Sequence, residues 1–287
     1  MPASPSCFSQ HFDAMATTFT VVISQADVDE IYAAQAANAV RLEVNRLEEE
    51  LSRFRPTSEI WRLGNLKAGQ RSHVSLATWD CLSLAKALHA ETAGALDITV
   101  APLMRLWQHA DGSPRTPEPE EIESVSGIVG SHLFDLHEED LSITVHASPL
   151  AFDLGAIGKG YALDQAVTVL SDWGIANALL NAGDSTLLAL GRPLDAAAWT
   201  VRLDEQHGLR EIPLNDQALS GTGFAEQGQH IMDPRTRQPV PASPRRRYAM
   251  APTAALADGL STAFTIMSDE EARALCARHP GITYLEP

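Results

Sequence analysis

The stretch FDLGAIGKGYALDQA, residues 152–166, combines three glycines, one lysine and two aspartates, and then continues with a helical pattern. A glycine-rich turn that enters a helix leaves backbone N–H groups pointing outward and lets a ligand approach the backbone closely. Lys159 adds a positive charge, so the segment suits a phosphate group. The spacing GAIGKG matches neither of the two common nucleotide fingerprints, GxGxxG and GxxxxGK followed by Ser or Thr. A tight strand-to-helix turn with an exposed lysine is the alternative interpretation of this segment taken alone.

The periodicity on both sides of this stretch predicts helices mixed with short strands. Residues 27–51 place Val40, Val44, Leu47 and Leu51 on one helical face, and residues 76–92 and the segment after Gly160 predict two further helices. Strands are predicted for residues 17–23, 142–147, 176–181, 186–191 and 198–203. Residues 111–124 are polar and proline-rich, which predicts a surface loop. Without a repeated unit, this mixture indicates an α+β fold and not a doubly wound sheet.

Composition bounds the possible functions. The chain has 287 residues, of which 45% are apolar and 20% charged, so it can bury the core of one large domain or of two interleaved lobes. Its 37 acidic and 21 basic residues give a net charge of -16, which excludes general nucleic-acid binding because no basic surface can displace counterions. A binding site for a polyanionic ligand must therefore supply local positive charge or hydrogen-bond donors, from backbone N–H groups, a few placed cations or a metal ion.

The cysteines and the apolar runs predict the compartment. Cys7, Cys81 and Cys276 are far apart in sequence, and their spacing indicates neither a disulfide framework nor a zinc motif. No apolar run approaches the ~18 residues of a membrane span. The start MPASPSCFSQHFDAM has neither the basic nor the apolar region of a signal peptide. We therefore expect a cytoplasmic protein without membrane insertion.

Seven segments follow one another along the chain: MATTF (15–19), SRFRPTSEIWRL (52–63), ALDITVAPLMRLW (95–107), DLGAIGKGYALD (153–164), NALLNAG (177–183), HIMDPRTRQPV (230–240) and APTAALADGLSTAF (251–264). In this order they closely resemble the ApbE family, the magnesium-dependent FAD:protein FMN transferases or flavin transferases. The resemblance implies an α+β, ApbE-like architecture related to the T-fold, with interleaved lobes. It also implies a single flavin transferase domain over residues 15–287, after an N-terminal tail over residues 1–14.

The reaction that the resemblance implies is a phosphoryl transfer. A threonine or serine hydroxyl of an acceptor protein attacks the pyrophosphate of FAD, which leaves FMN in a phosphoester linkage and releases AMP. Such a transfer depends mainly on positioning and on charge neutralisation by a metal ion. Two alternatives stay open at this point: an FAD pyrophosphatase, in which water replaces the acceptor hydroxyl, and a non-catalytic FAD-binding protein.

A magnesium site is expected in the last of the seven segments. Asp258 and Thr262 stand four residues apart, so both side chains point to the same face of a helix. Carboxylate, hydroxyl and carbonyl oxygens are hard donors that suit Mg²⁺, which usually retains waters and takes phosphate oxygens. By resemblance, the carbonyl comes from Gly158, and Asp258 is also a catalytic residue. An N-terminal cap pair or a solvated helix face is the alternative interpretation of Asp258 and Thr262 alone.

The resemblance assigns His230 to the reacting phosphates. Imidazole has a pKa near the working pH, so His230 is expected to be the general base or a phosphate contact. Metal-bound water or a carboxylate is the alternative base, and a structural histidine before an Asp-Pro turn is the alternative role.

The resemblance to the ApbE family also assigns flavin recognition to residues that lie far apart in sequence. Met15 and Phe54 are expected to pack on aromatic ring faces, and Asp97 and Asp164 to accept hydrogen bonds from adenine or ribose donors. The full set of expected FAD-binding residues is Met15, Phe54, Ala95, Leu96, Asp97, Lys159, Asp164 and His230.

Several positions depart from the pattern of the family. Ala16 stands where the family commonly has glycine, Phe54 where it has tyrosine, and Arg237 where it has glycine. The familiar NAGGD becomes NAGDS, residues 181–185, which removes a glycine and moves an acid to Asp184. These departures bear on nucleotide affinity and on the choice of acceptor, and they leave the predicted fold unchanged.

Overall fold

The computed structural model describes residues 7–109, 111, 113–205, 208–223, 231–243 and 246–285. Within these residues the helices are α1 (Glu30–Leu51), α2 (Glu59–Gly64), α3 (Leu76–Glu91), α4 (Ala101–Leu106), α5 (Pro119–Ser126), α6 (Gly158–Asp172), α7 (Ala254–Ile266) and α8 (Asp269–Arg278). No described helix combines the length and the apolar character that a membrane crossing requires.

The strands of the described residues form one large sheet and three small ones. They are β1 (Cys7–Ala14), β2 (Thr17–Ser24), β3 (Arg71–His73), β4 (Phe134–His137), β5 (Ser142–Val145), β6 (Ala178–Ala182), β7 (Thr186–Leu190), β8 (Trp199–Glu205), β9 (Gly208–Leu214), β10 (Ala218–Thr222), β11 (Met232–Asp233), β12 (Gln238–Pro239), β13 (Arg247–Ala251) and β14 (Thr283–Leu285). The large sheet has the order β1-β2-β6-β7-β10-β13-β14, and every neighbouring pair is antiparallel. Antiparallel sheets packed with helices confirm the predicted α+β class.

Helices α1, α6 and α7 cover one face of the large sheet. In α1 the predicted apolar stripe is buried, with Val40, Val44 and Leu47 each at most 1% exposed. The Asp29 side chain caps the helix by accepting from the N–H of Tyr32. Helix α6 packs against both α1 and α7, and α7 lies on β10 and β13. The layer of helices therefore holds the N-terminus of α6 close to the middle of α7.

The other face of the sheet carries a separate apolar cluster. The β8–β9 hairpin buries Trp199, Val201 and Leu214 against Leu219 of β10 and Tyr248 of β13. Because successive side chains of a strand point to opposite faces, Leu219 faces this hairpin while its neighbour Ser220 faces α7. Strand β10 thus connects the hairpin cluster with the helix layer.

The N-terminal tail expected over residues 1–14 includes Cys7–Ala14, which form β1 and pair with β2 along its whole length. The ring of Phe12 stacks on Phe19 of β2 with ring centroids 5.6 Å apart, so this contact secures the edge strand. Met15 and Ala16 make the turn between the strands, with φ of 50° and 58°. Both residues lie in the left-handed region, where a side chain costs roughly 1–2 kcal/mol.

The polar stretch 111–124 was expected to be a loop, but its second half is helical. Helix α5 begins at Pro119, whose fixed φ suits the first helical position. At its N-terminus the side chain of Glu121 accepts a hydrogen bond from the N–H of Glu118 at 2.9 Å. The cap and the proline together explain why a segment with few apolar residues forms a helix here.

Candidate active site

The glycine-rich stretch forms the turn that starts α6. Asp153 accepts a 3.0 Å hydrogen bond from the N–H of Gly155, and Gly158, the first residue of α6, donates to the carbonyl of Leu154 at 2.7 Å. The ammonium group of Lys159 folds back and donates to the carbonyl of Gly155 at 3.1 Å. The sequence therefore places a cation at a helix N-terminus, where backbone N–H groups already favour an anion.

Helix α7 crosses this turn at Gly160. A Cβ atom at Gly160 would lie 2.2 Å from the carbonyl oxygen of Ala254, so the two backbones approach closely only because this residue is glycine. The approach brings Asp258, 3% exposed, to the start of α6. Its Oδ2 accepts from the Gly160 N–H at 3.2 Å and lies 3.6 Å from the Lys159 ammonium. The structure thus brings together Lys159 and Asp258, two of the predicted site residues.

Thr262 lies one turn further along α7, as the spacing predicts, so the interpretation of Asp258 and Thr262 as a cap pair is wrong. Thr253 caps α7 instead, because its side chain accepts from the N–H of Leu256. The Thr262 hydroxyl is 3.3 Å from that of Thr222 at the end of β10. The predicted magnesium ligands therefore share one helix face, which points toward β10 and the start of α6.

Asp164 anchors the N-terminus of α7. Its two carboxylate oxygens accept from the N–H groups of Ala254 and Ala255 at 2.7 and 2.9 Å. Burial raises the pKa of Asp164 to about 6, and the charge of Asp258 adds to that rise, while the two N–H donors act in the opposite direction. Asp164 was expected to accept from adenine or ribose, and in this structure both oxygens already bind the backbone of α7.

Asp97 is similarly occupied. Its carboxylate accepts from the backbone N–H and hydroxyl of Thr99 and from the N–H of Ser131, and it lies 3.2 Å from Nδ1 of His89. Burial raises the pKa of Asp97, but the hydrogen bonds from His89 and Thr99 outweigh burial and hold it below its ordinary value. The same contact with Asp97 raises the pKa of His89. His89 and Ser131 are members of this cluster that the sequence alone did not single out.

Ala95 and Leu96, the other residues of this segment, have buried side chains. A Cβ atom at Gly259 of α7 would lie 3.6 Å from Cδ2 of Leu96, so the segment packs directly on α7 beside Asp258. The carbonyl of Leu96 is 3.0 Å from Nδ1 of His89. The segment therefore lies next to the Lys159–Asp258 centre, with its side chains directed into the core.

Met15 is held by a residue that sequence reasoning missed. Its backbone N–H donates to Glu48 of α1 at 2.9 Å, and Arg55 binds the other oxygen of Glu48 at 2.9 Å. On the opposite side of the turn, a Cβ atom at Gly183 would lie 2.1 Å from the hydroxyl of Thr17. Gly183 itself has φ of 62°, so only glycine fits there.

Phe54 is exposed, with 77% of its surface accessible. The guanidinium of Arg53 lies 4.5 Å from its ring centroid, and Arg53 also pairs with Asp153 at 2.9 Å. Asp153 in turn binds the first glycine of the α6 turn. This chain of contacts places an exposed aromatic ring at the entrance to the start of α6.

His230 lies outside the described residues, so its predicted role stays a prediction. The segment that follows it forms the β11–β12 hairpin, and Cγ of Arg235 would lie 3.7 Å from a Cβ atom at Gly94, directly before Ala95. Arg237, where the family commonly has glycine, has φ of 59° and binds Glu123 of α5 at 3.0 Å. That ion pair connects the β11–β12 hairpin to α5.

The two cavities that stand out lie away from this centre. The larger, about 380 Å³, lies between the sheet and the β8–β9 hairpin and includes Asn181, Asp184 and Arg246. The other, about 270 Å³, lies between β1 and the start of α1. None of the predicted site residues that the structure describes lines either cavity.

The described residues contain no group of three or more His, Cys, Asp or Glu side chains that could hold a metal ion. A metal at the start of α6 would therefore rely on one carboxylate together with hydroxyl and carbonyl oxygens. That donor set is poor for zinc and suits Mg²⁺, which binds through one or two carboxylates and fills its other positions with water and phosphate oxygens.

Comparison with known proteins agrees with this geometry. The ApbE family model matches residues 15–285. A relative from Klebsiella pneumoniae (strain 342), named FAD:protein FMN transferase, is 27% identical over 289 residues, which cover 95% of this chain and 82% of the relative. A relative of the same name from Vibrio cholerae serotype O1 is 28% identical over 258 residues, with 83% and 76% covered.

Solved structures show the same fold. The apo form of the flavinyl transferase ApbE from Pseudomonas stutzeri superposes with a TM-score of 0.86 at 23% identity, covering 97% of this chain and 90% of that one. The flavin transferase ApbE from Vibrio cholerae gives a TM-score of 0.84 at 23% identity, with 97% and 93% covered. The architecture expected from the seven segments is therefore confirmed, and the chain belongs to the ApbE family.

Proposed function

We propose that this protein transfers FMN from FAD to a threonine or serine hydroxyl of an acceptor protein, in a Mg²⁺-dependent reaction that releases AMP. One observation carries this function: the buried carboxylate of Asp258 meets the Lys159 ammonium and the Gly160 N–H at the glycine-rich start of α6. The names of the relatives, FAD:protein FMN transferase, support the same reaction.

The residues at the start of α6 fit a magnesium ion. Asp258 and Thr262 would hold it with the main-chain carbonyl of Gly158, which lies in the same turn as the N–H group that binds Asp258. The Lys159 ammonium lies 3.6 Å from Asp258, and this supports the assignment of a cation site beside the carboxylate. When bound, Mg²⁺ neutralises the charge of the pyrophosphate and of the departing phosphate.

The chain's own residues bind and orient the substrate. Lys159 at the start of α6 binds the pyrophosphate of FAD, because the dipole of the helix and a full positive charge both favour an anion at this end of the helix. The exposed ring of Phe54 offers a surface on which a planar ring can stack, and Met15 adds a polarisable side chain. Asp97 and Asp164 hold the backbone around this substrate, since their carboxylates already bind protein donors.

The chemical step exchanges one phosphorus–oxygen bond for another. The acceptor hydroxyl attacks the phosphorus of the FMN half, the bond from that phosphorus to the bridging oxygen breaks, and AMP leaves with the electron pair. The hydroxyl proton passes to a base, for which His230 is our assignment. The acceptor is a protein segment that presents Thr or Ser. The cytoplasmic location of the transferase itself remains a prediction.

The test measures transfer against Mg²⁺ concentration with FAD and candidate acceptor proteins, and reads the mass shift and fluorescence of covalent FMN. Asp258→Ala should abolish Mg²⁺-dependent transfer because it removes the carboxylate ligand. Thr262→Ser, which keeps the oxygen, should stay partly active, and Thr262→Val should need more Mg²⁺ to reach half its maximal rate. Free FMN without labelled protein would instead indicate the pyrophosphatase, and an unchanged metal response in Asp258→Ala would overturn the metal assignment.

A further inference from the structure

The two carboxylate oxygens of Asp258 have different surroundings. Oδ2 faces the start of α6, where Gly160 and Lys159 lie. Oδ1 faces the sheet, where the Thr186 hydroxyl donates to it at 3.2 Å and the Ser220 hydroxyl at 3.4 Å. Thr186 and Ser220 are both fully buried. Only Oδ2 therefore points toward the substrate side.

The same sheet face connects Asp258 to Thr262 through a series of hydroxyl groups. Ser220 lies 3.2 Å from Ser261, Ser261 lies 2.8 Å from Thr222, and Thr222 lies 3.3 Å from Thr262. We call Thr186, Ser220, Ser261 and Thr222 the hydroxyl network. It joins the two side chains that are proposed to hold Mg²⁺, although its members come from β7, β10 and α7.

The number of protons that each hydroxyl can donate sets the direction of the hydrogen bonds in this network. Each hydroxyl has one proton to donate, whereas an ionised carboxylate only accepts. Asp258 therefore draws donors toward itself, and Ser220 donates to it or to the carbonyl of Ser185, 3.1 Å away. Ser261 has a second acceptor as well, the carbonyl of Asp258 at 2.9 Å. At the far end, Thr262 can give its proton to Thr222, which leaves the lone pairs of Thr262 free to face a cation.

We propose that the hydroxyl network selects Mg²⁺ over Ca²⁺, because it makes Asp258 a ligand through Oδ2 alone and turns the lone pairs of Thr262 toward the metal. Ca²⁺ takes six to eight oxygens and often binds a carboxylate through both of them, whereas Mg²⁺ takes six in a tight octahedron. Because Oδ1 faces the buried side of the sheet and accepts from Thr186, the two-oxygen mode is blocked. This inference rests on the proposed function, since it concerns the same metal site.

The experiment measures the thermal unfolding midpoint at a fixed FAD concentration while Mg²⁺ or Ca²⁺ is titrated, so it does not depend on turnover. Thr222→Val and Thr186→Val should each raise the Mg²⁺ concentration for half the maximal shift by about 10- to 100-fold, the range typical of groups that orient a metal ligand. The Ca²⁺ concentration for half the maximal shift should rise less, so the preference for Mg²⁺ over Ca²⁺ should fall. Thr222→Ser and Thr186→Ser keep the hydroxyls and should behave like the wild type.

Thr265→Val provides the matched control. It makes the same chemical change on α7, where the Thr265 hydroxyl donates to the carbonyl of Ser261 at 2.9 Å and not to a proposed ligand. This variant should lower the unfolding midpoint without changing the Mg²⁺ to Ca²⁺ preference. If the wild type responds to Mg²⁺ but both Val variants keep its preference, the inference is wrong while the proposed function stands. If the wild type with FAD shows no response to Mg²⁺, both are wrong.

Discussion

Adding one methyl group at Gly160 tests whether the close crossing of α6 and α7 builds the site. The new Cβ would lie 2.2 Å from the carbonyl oxygen of Ala254 and 2.7 Å from Cα of Ala255. Both contacts are with backbone, so relief requires the whole start of α7 to move. Overpacking of this kind costs about 1–3 kcal/mol, and backbone contacts favour the upper end. The gain from replacing glycine by alanine in a helix is about 1 kcal/mol, so the net loss for Gly160→Ala is about 2 kcal/mol.

That loss should lower the thermal unfolding midpoint by about 4–8 °C, at about 2–4 °C per kcal/mol for a chain of this size. Gly158→Ala is the matched control, because the nearest atom to its new Cβ, Cβ of Leu154, lies 4.0 Å away. Gly158→Ala should therefore be as stable as the wild type or slightly more stable. Differential scanning calorimetry on the three proteins provides the measurement. Equal midpoints for Gly160→Ala and Gly158→Ala would show that the crossing adapts freely and that our account of it is incorrect.

Four further predictions concern binding, chemistry, pH and strain. Lys159→Ala should weaken FAD binding more than riboflavin binding in calorimetric titrations, and equal losses would show that Lys159 does not contact phosphate. His230→Asn should bind FAD almost normally and lower turnover by about 10²- to 10⁴-fold, the usual range for loss of a general base; a normal rate would contradict the assignment. Because Asp97 raises the pKa of His89 above its ordinary value of 6.5, the stability from this pair is complete below pH 6.5 and is lost as the pH rises through the raised value. His89→Gln should therefore flatten the dependence of the unfolding midpoint on pH above 6.5, and an unchanged dependence would count against the pair. Ala16→Gly relieves a left-handed alanine that costs about 1–2 kcal/mol, and the greater freedom of glycine in the unfolded chain offsets about 0.4–1 kcal/mol of this gain. The net gain of about 0.5–1 kcal/mol should raise the midpoint by about 1–4 °C; a lower midpoint would show that Ala16 is not strained.

Local patterns in the sequence predicted the helices α1, α3 and α6 and the strands β2, β5, β6, β7 and β8. The apolar stripe of α1 follows from a period of 3.6 residues, and the alternation in β2 follows from a period of two, with Phe19, Val21 and Ile23 all 1% exposed. Strand β1 was not predicted because most of its side chains are exposed or half-buried and only Phe12 and Ala14 are buried. Helix α5 was not predicted because its N-terminal cap, and not an apolar face, determines where it forms.

The site was predictable only where a motif carries the information in a few consecutive residues. The spacing of Asp258 and Thr262 places both on one helix face, and the structure agrees. The donors to Oδ1 of Asp258, Thr186 and Ser220, lie 72 and 38 residues away along the chain, so no local pattern connects them. Nor can composition tell whether a carboxylate such as Asp164 faces a ligand or the N–H groups of a neighbouring helix.

The bond between Gly160 and Asp258 joins residues 98 positions apart, and this separation affects how the protein is made. At about 5–20 residues per second, a ribosome needs roughly 5–20 s to synthesise that interval. During this time the start of α6 has emerged without the helix that completes it. Contacts so distant along the chain are also slow to form, since a long loop must close first. Nascent chains that end before α7 contain neither Asp258 nor Thr262, so under the proposed function only the finished protein can cleave FAD.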